Sequence, residues 1–180
     1  VYEFLIHLDN KTLVSKMIEG IRTHEVVLKH SFTILDMLEN EYPFFADPLP
    51  NILFQRDPFA SIGDGLAINN MMTEARGRET LLSEYMFKYH PRFENANIPY
   101  YKKRSTRWKS EGGDVLVARE DVLLIGTGTR TSSQGIDFIL EQIESKDQVR
   151  HIIVQELPES PESFIHLDMV FTFLDVDKCM

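Results

Sequence analysis

A repeat of 54 to 55 residues constrains the fold of this chain more than any other feature. Asp57 and Glu111 lie 54 positions apart, Glu111 and His166 lie 55 apart, and Arg76 and Arg130 each follow the preceding acid by 19. A period of this length indicates repeated supersecondary units, arranged either as a stack or around an axis. In a radial arrangement, the acidic and imidazole positions would face a shared axis, where a small ligand could bind.

The first unit is predicted to run strand, strand, helix, strand. Two apolar runs within residues 54–72 flank Gly63-Asp64-Gly65, which indicates a hairpin. A helix is predicted over 78–90, ended by Pro91, and a strand over 98–102. The apolar face of this helix would consist of Leu81, Leu82, Tyr85, Met86 and Tyr89.

The second unit repeats this order. Strands are predicted over 115–118 and 122–125, joined by a tight turn. An amphipathic helix over about 133–145 leads to a buried strand over 151–154. A third unit is expected to begin with a strand within 169–174.

Residues 1–46 depart from the repeat and are predicted to form a helical segment, part of an inserted helical region. One apolar face contains Leu13, Met17 and Ile21, spaced four apart, with Asp9 or Thr12 as the cap. A second apolar stripe precedes Tyr42-Pro43 and consists of Val27, Ile34, Leu35 and Leu38. The remaining 47–180 would then form a separate domain.

Composition excludes several classes of protein. The net charge of -9 argues against a nucleic-acid surface, which needs clustered Lys and Arg. A single cysteine rules out an internal disulfide framework, and the histidines lack metal-ligand spacing. No signal peptide or membrane span is recognisable, so a cytoplasmic location without metal or other cofactor is expected.

Three short strings carry polar residues suited to chemistry: the decapeptide from Pro50 to Phe59, Glu111-Gly112-Gly113-Asp114, and His166-Leu167-Asp168. Each string alone also fits a turn, a loop or an ordinary ion pair on a strand. Together, in this order and with both arginines, they closely resemble the arginine deiminases of the guanidine-modifying superfamily. The resemblance implies an α/β fold, namely repeated strand-strand-helix-strand modules of an α/β propeller, incomplete in this chain.

The resemblance also implies roles for four residues in catalysis. Asp57 and Asp168 would bind the substrate guanidinium, because carboxylates match its N–H donors with parallel charge-assisted bonds. His166 would transfer protons, since ammonia must gain a proton and water must lose one. Glu111 would orient His166 and favour its charged form.

The amino-acid end of the substrate is assigned by the same resemblance to Asn51, Arg76 and Arg130. Two arginines facing an α-carboxylate would distinguish free arginine from agmatine. Phe54 would flank the aliphatic stem of the substrate, and an ordinary core position is the competing interpretation. A structural role for the arginines is less expected, because cations at helix starts oppose the helix dipole.

The nucleophile of the family is a cysteine near the far C-terminal end of the full enzyme, and Cys179 does not match it. Cys179 is expected to be a small residue in or beside the core. The chain is therefore expected to be an internal fragment that turns over no arginine alone. Because missing modules would leave sheet edges and apolar faces unpaired, association, domain exchange or low stability is expected. The protein is expected to be a homo-oligomer.

Three alternatives remain open on the sequence. A related hydrolase would act on agmatine or methylated arginine, although Arg76 and Arg130 together argue against agmatine. A non-catalytic binding module with the same propeller would have no reason to retain Asp57, Glu111, His166 and Asp168 together. Residues 1–45 could also form a helical interaction domain, but the sequence offers no partner surface.

Overall fold

The computed structural model describes residues 1–26, 42–144 and 149–180. These residues form two units, Val1–Leu53 and Phe54–Met180. In the described ranges, helices that could cross a membrane are absent, since none is long and apolar enough.

The first unit contains helix α1 (Tyr2–Leu5), helix α2 (Asn10–Glu19) and an antiparallel pair of strands, β1 (Ile21–Arg22) and β2 (Phe44–Ala46). The side chain of Asp9 caps α2, as predicted. Its Oδ1 accepts hydrogen bonds from the backbone N–H groups of Lys11 and Thr12, at 3.0 and 3.1 Å. Two backbone donors that α2 itself cannot satisfy are thereby paired.

The helix predicted through Ile21 ends earlier, at Glu19. Gly20 follows with a φ of 85°, a backbone conformation that other residues rarely adopt. A side chain at Gly20 would also approach the carbonyl oxygen of Ala46 within 2.7 Å. Gly20 thus turns the chain out of α2 and allows Ile21 to pair with Ala46 in a sheet. The second predicted apolar stripe, Val27, Ile34, Leu35 and Leu38, lies outside the described residues.

The second unit begins with a module built as predicted. Its elements are β3 (Phe59–Ile62), β4 (Gly65–Ile68), helix α3 (Glu79–Tyr89) and β5 (Tyr100–Lys102). Strands β3 and β4 form an antiparallel hairpin, and β5 pairs with β4 in parallel. The tight turn depends on Gly63, whose φ of 55° lies in the left-handed region.

The face that helix α3 buries differs from the prediction. Its buried side chains are polar, Glu79, Thr80 and Ser83, whereas Tyr85 and Tyr89 are more than half exposed. The apolar periodicity of the sequence therefore identified the helix but not its orientation. The reason is an ion pair between Glu79 and Arg76, which holds the polar start of α3 in the interior.

The next module contains β6 (Val115–Arg119), β7 (Val122–Thr127), helix α4 (Ser133–Glu144) and β8 (His151–Glu156). The sheet has the order β6-β7-β8, with β6 antiparallel and β8 parallel to β7. The strand at β8 is confirmed, but its predicted burial is wrong. Ile153 and Val154 are 54% and 50% exposed, and β8 lies at the edge of its sheet.

The two modules of the second unit share one apolar core. The buried residues of this core come from both sheets and from α4, and they are Ala60, Ile62, Ala67, Tyr101, Val115, Leu123, Ile125, Ile136, Ile139 and Ile143. The predicted apolar face of α4 is confirmed, since the last three belong to that helix. A shared core holds the starts of successive hairpins at fixed positions relative to one another.

The last segment forms a short 3-10 turn, Leu167–Met169, followed by a hairpin of β9 (Phe173–Asp175) and β10 (Lys178–Cys179). The interpretation of His166-Leu167-Asp168 as an ordinary ion pair on a strand is therefore wrong. His166 has extended backbone angles and precedes the turn, and Asp168 lies within it. Cys179 is exposed in β10, which contradicts the expected position in or beside the core.

Candidate active site

Three buried polar residues meet where the repeat places equivalent positions. Asp57, Glu111 and His166 precede the first strand or the turn that opens each successive unit, and they are 6%, 0% and 6% exposed. Nε2 of His166 lies 2.8 Å from Oε2 of Glu111, and Nδ1 lies 3.9 Å from Oδ1 of Asp57. Residues more than 100 positions apart in the sequence thus form one cluster.

The ion pair between Glu111 and His166 shifts both pKa values in the direction of charge. Burial lowers the pKa of His166, but the hydrogen bond to Glu111 and the charges of Asp114 and Asp57 outweigh burial and raise it above 6.5. Burial raises the pKa of Glu111, but hydrogen bonds from His166 and the Met72 N–H bring it below its ordinary value. The imidazolium–carboxylate form is favoured.

Asp57 is fixed through both its side chain and its backbone. Oδ2 accepts a hydrogen bond of 2.7 Å from Nη1 of Arg76, and Oδ1 accepts one of 3.1 Å from the N–H of Gly113. The carbonyl oxygen of Asp57 accepts hydrogen bonds from the N–H of Gly112 at 3.0 Å and from Nδ2 of Asn69 at 2.8 Å. These contacts leave the carboxylate with little freedom to reorient.

Arg76 is buried between two carboxylates. Nε and Nη2 donate to the carboxylate of Glu79 at 2.8 to 3.1 Å, while Nη1 donates to Asp57. Burial lowers the pKa of Arg76, and the hydrogen bonds to Glu79 and Asp57 outweigh it and raise the pKa. The expectation that Arg76 would have little structural role is wrong, because Glu79 in the first turn of α3 compensates its charge.

Arg130 has a more open position than Arg76. Its side chain is 24% exposed, and its Nη1 lies 3.9 Å from Oε1 of Glu111. At that distance the contact is an ion pair without a short hydrogen bond. Arg130 therefore lies beside the cluster with part of its guanidinium accessible to solvent.

Asp168 lies close to Gly113, as do Asp57 and His166. A side chain at Gly113 would lie 2.8 Å from Oδ1 of Asp57, 2.9 Å from Cγ of His166 and 3.1 Å from Oδ1 of Asp168. The three side chains therefore converge around Gly113. Burial raises the pKa of Asp168, against the opposing charges of Arg56, whose Nε is 3.3 Å away, and of His166.

Phe54 and Asn51 belong to different units. Phe54 is 62% exposed, so the core interpretation for it is wrong. Its ring centroid lies 6.0 Å from Cζ of Arg76, within cation–π range, and its carbonyl oxygen accepts a hydrogen bond of 3.3 Å from Nη2 of Arg76. Asn51 is half-buried within the first unit.

Sequence reasoning missed several polar residues that support this cluster. Glu79 holds Arg76, and Asp114 binds the N–H of Leu167 beside His166. Buried Lys102 donates to Ser110, whose hydroxyl donates to Asn69, which in turn binds the Asp57 carbonyl. Asp114 stood in a motif already singled out, but its pairing with residues 53 positions away has no local signal.

One ligand atom from each of Asp57, Glu111 and His166 lies within 4.8 Å of the others, a spacing that could hold a metal ion. Nη1 of Arg76, however, lies 2.7 Å from Asp57 and 3.9 Å from Glu111. A divalent cation would be repelled by this fixed charge. The arrangement is better suited to binding and transferring protons.

Known structures define the class of fold first. The chain is similar to a dimethylarginine dimethylaminohydrolase adduct, with a TM-score of 0.55 and 19% identity over 73% of this chain and 48% of that one. It is also similar to the N-terminal domain of ArgZ, an arginine dihydrolase from cyanobacteria, with a TM-score of 0.52 and 22% identity over 70% of this chain and 42% of that one. The chain has the mixed α/β fold of these proteins.

Sequence comparisons identify the family. The arginine deiminase profile matches residues 1–180, and the chain belongs to the arginine deiminase family. It is 40% identical over 177 residues to the arginine deiminase of Bacillus cereus (strain ATCC 10987 / NRS 248), covering 98% of this chain and 43% of that protein. It is 43% identical to that of Staphylococcus aureus (strain JH9), over 95% of this chain and 42% of that one. The chain thus spans less than half the length of these relatives.

Proposed function

We propose that this chain contributes the guanidinium-binding and proton-transfer residues of an arginine deiminase, which hydrolyses L-arginine to L-citrulline and ammonia. The observation that carries the proposal is the buried hydrogen bond between His166 and Glu111, with Asp57 and Asp168 beside it around Gly113. Family membership supports the same reaction. The proposed protein is cytoplasmic, and its modules belong to an α/β propeller.

In the proposed reaction, Asp57 and Asp168 hold the planar guanidinium of the substrate. Although Asp57 already accepts bonds from Arg76 and Gly113, a carboxylate has about four acceptor positions, so each oxygen can accept another bond. Two carboxylates fix the plane of the guanidinium and expose its central carbon to attack. The half-buried Arg130 is proposed to bind the α-carboxylate, and the exposed Phe54 to flank the stem.

His166 is proposed to transfer the protons. A cysteine thiolate from outside these 180 residues adds to the guanidinium carbon, and the departing ammonia takes the proton of the His166 imidazolium. The neutral imidazole then accepts a proton from the water that hydrolyses the covalent intermediate, which releases citrulline and the thiol. The raised pKa of His166 keeps the ring protonated for the first of these steps, because its bond to Glu111 outweighs burial.

Arg76 and Asn51 have less direct support. Arg76 is engaged by Glu79 and Asp57, so its proposed contact with the α-carboxylate would use a guanidinium that already has two acidic partners. The assignment of Asn51 to the substrate depends on the resemblance alone.

A chimeric enzyme tests the function. The matched 177-residue region of the Bacillus cereus relative is replaced by this chain, and citrulline production is measured. Activity is expected with arginine and not with agmatine or methylated arginine. The variants Asp57→Ala and His166→Ala are expected to lose at least about 100-fold in kcat/KM. The matched controls Asp121→Ala and His151→Ala change exposed or half-exposed groups in the second sheet.

Intact activity in both Asp57→Ala and His166→Ala would refute the mechanism. A folded but inactive chimera would favour a non-catalytic binding module instead. The 180-residue chain alone is expected to produce no citrulline. If it did so at enzyme-like rates, the nucleophile would lie within the chain, and Cys179→Ser would show whether the exposed Cys179 provides it.

A further inference from the structure

Asp114 is a buried carboxylate that the proposed chemistry leaves without a task. It is 1% exposed, and both of its oxygens are bonded. Oδ1 accepts a hydrogen bond of 2.9 Å from the backbone N–H of Leu167, and Oδ2 accepts one of 2.5 Å from the hydroxyl of Thr131. Burying a carboxylate is costly, so its retention calls for a specific use.

The bond to Leu167 fixes the segment that carries the histidine. Leu167 stands between His166 and Asp168, and its side chain is buried as well. Because the N–H of Leu167 belongs to the peptide that joins it to His166, the Asp114 carboxylate fixes the backbone from which the imidazole extends. The same contact fixes the start of the turn that contains Asp168.

Thr131 extends this connection to Glu111. While its hydroxyl donates to Asp114, its Oγ1 accepts a hydrogen bond of 3.0 Å from the backbone N–H of Glu111. The carbonyl oxygen of Thr131 accepts bonds from the Gly128 N–H at 3.0 Å and the Thr127 hydroxyl at 3.1 Å. These bonds hold the loop of residues 127–131, which contains Arg130, in a fixed conformation next to Glu111.

We propose that Asp114 and Thr131 form a positioning pair for the proposed reaction. The pair would hold Glu111 and His166 at hydrogen-bonding distance and keep the Asp168 turn in register with them. The proposed role of the pair in catalysis rests on the proposed function. Its effect on the pKa of His166 can be measured without turnover. A catalytic cluster built from three separate segments needs such contacts, because misplacement by about 1 Å can cost about 100-fold in rate.

Electrostatics gives the pair a measurable signature. The acidic groups that raise the pKa of His166 are Glu111, Asp114 and Asp57, against the effect of burial. Burial raises the pKa of Asp114 to about 6, against the hydrogen bonds from Thr131 and Leu167. Asp114 is therefore mostly ionised at pH 7.5, where its charge acts on the imidazole.

NMR titration of His166 in the 180-residue chain tests the proposal without any activity. Asp114→Asn keeps the shape and an acceptor but removes the charge, and it is expected to lower the His166 pKa. Thr131→Val is expected to lower it too, since Glu111 loses its anchor, and Thr131→Ser should restore it by returning the hydroxyl. Asp121→Asn, at the far end of the β6–β7 hairpin, is the matched control and should change nothing.

Kinetics of the chimera provide the second measurement. Asp114→Asn and Thr131→Val are expected to reduce kcat by about 10- to 100-fold, with a smaller change in KM. A purely structural pair would lower the unfolding temperature while leaving the His166 pKa and kcat unchanged, and that result would overturn the proposal. If Asp114→Asn does not fold, the proposal is tested by comparing the His166 pKa and kcat of Thr131→Val with those of Thr131→Ser. If the chimera with the unmutated chain makes no citrulline, the proposed function fails, while the titration still decides on positioning.

Discussion

Glu111 and His166 are joined by a hydrogen bond of 2.8 Å between Oε2 and Nε2, in a site where both side chains are almost fully buried. Each partner shifts the pKa of the other toward its charged form. The His166 pKa lies above 6.5, so its contribution to stability is complete below that value and is lost as pH rises through the folded pKa. The Glu111 pKa lies below 4.5, so its contribution is present above that value and is lost as pH falls through the folded pKa.

The first prediction concerns this pair. Glu111→Gln removes the charge that holds the imidazolium, so the His166 pKa measured by NMR is expected to fall. The free energy of unfolding should lose the pH dependence below 4.5 that Glu111 contributes, and its pH dependence above 6.5 should become smaller, because Asp114 and Asp57 still act on His166. An unchanged His166 titration in a folded Glu111→Gln variant would contradict the assignment. Glu120→Gln, on the exposed β6–β7 turn, is the control.

The second prediction concerns the buried ion pair of Arg76 with Glu79. Glu79→Gln leaves a buried guanidinium with one carboxylate partner fewer, and the free energy of unfolding is expected to fall by about 3 kcal/mol. Urea denaturation measures the difference. Glu84 lies on the same helix and forms a half-exposed ion pair with Arg104. Glu84→Gln removes this pair and should lower the free energy of unfolding by about 0.5 kcal/mol or less. Equal effects of the two substitutions would argue against the special role of the buried pair.

The third prediction concerns Gly113, which the side chains of Asp57, His166 and Asp168 surround. Gly113→Ala places a methyl group 2.8 to 3.1 Å from atoms of all three. We expect a loss of about 1–3 kcal/mol in stability and about 100-fold in the activity of the chimera. Gly128→Ala, whose methyl group would meet the Leu157 Cβ at 3.3 Å, is the milder control. Full activity in Gly113→Ala would mean that the three groups do not act together at this point.

The fourth prediction concerns Lys102, a buried amine that binds the Trp108 carbonyl and the Ser110 hydroxyl. Burial, with the charge of Lys109, lowers its pKa from 10.5 to about 8. The folded chain therefore loses this proton before the unfolded chain does, and the free energy of unfolding should rise between about pH 8 and 10.5.

This rise amounts to about 3 kcal/mol and should be absent in Lys102→Met. Urea denaturation at a series of pH values, compared with Lys103→Met at the neighbouring exposed position, isolates the effect. If Lys102→Met keeps the same pH dependence as the unmutated chain, another group must be responsible.

The order of the elements in the second unit could be predicted from the sequence because it is encoded locally. The turn at Gly63 and the apolar spacing of α4 follow from residues within one element. The orientation of α3 could not be predicted, since it depends on the ion pair of Glu79 with Arg76. The exposure of β8 also depends on which elements pack against its side chains, and this cannot be predicted from the residues of the strand alone.

The sequence by itself determined the repeat, the family resemblance and the identity of Asp57, Glu111 and His166 as a set. Only the tertiary structure decided that Arg76 is held by Glu79 and that His166 precedes a 3-10 turn instead of lying in a strand. It also decided that Asp114 and Thr131 connect the segments of the site. The physical reason is that periodicity reports which residues share a face, whereas partners from distant segments meet only after the shared core has fixed the modules.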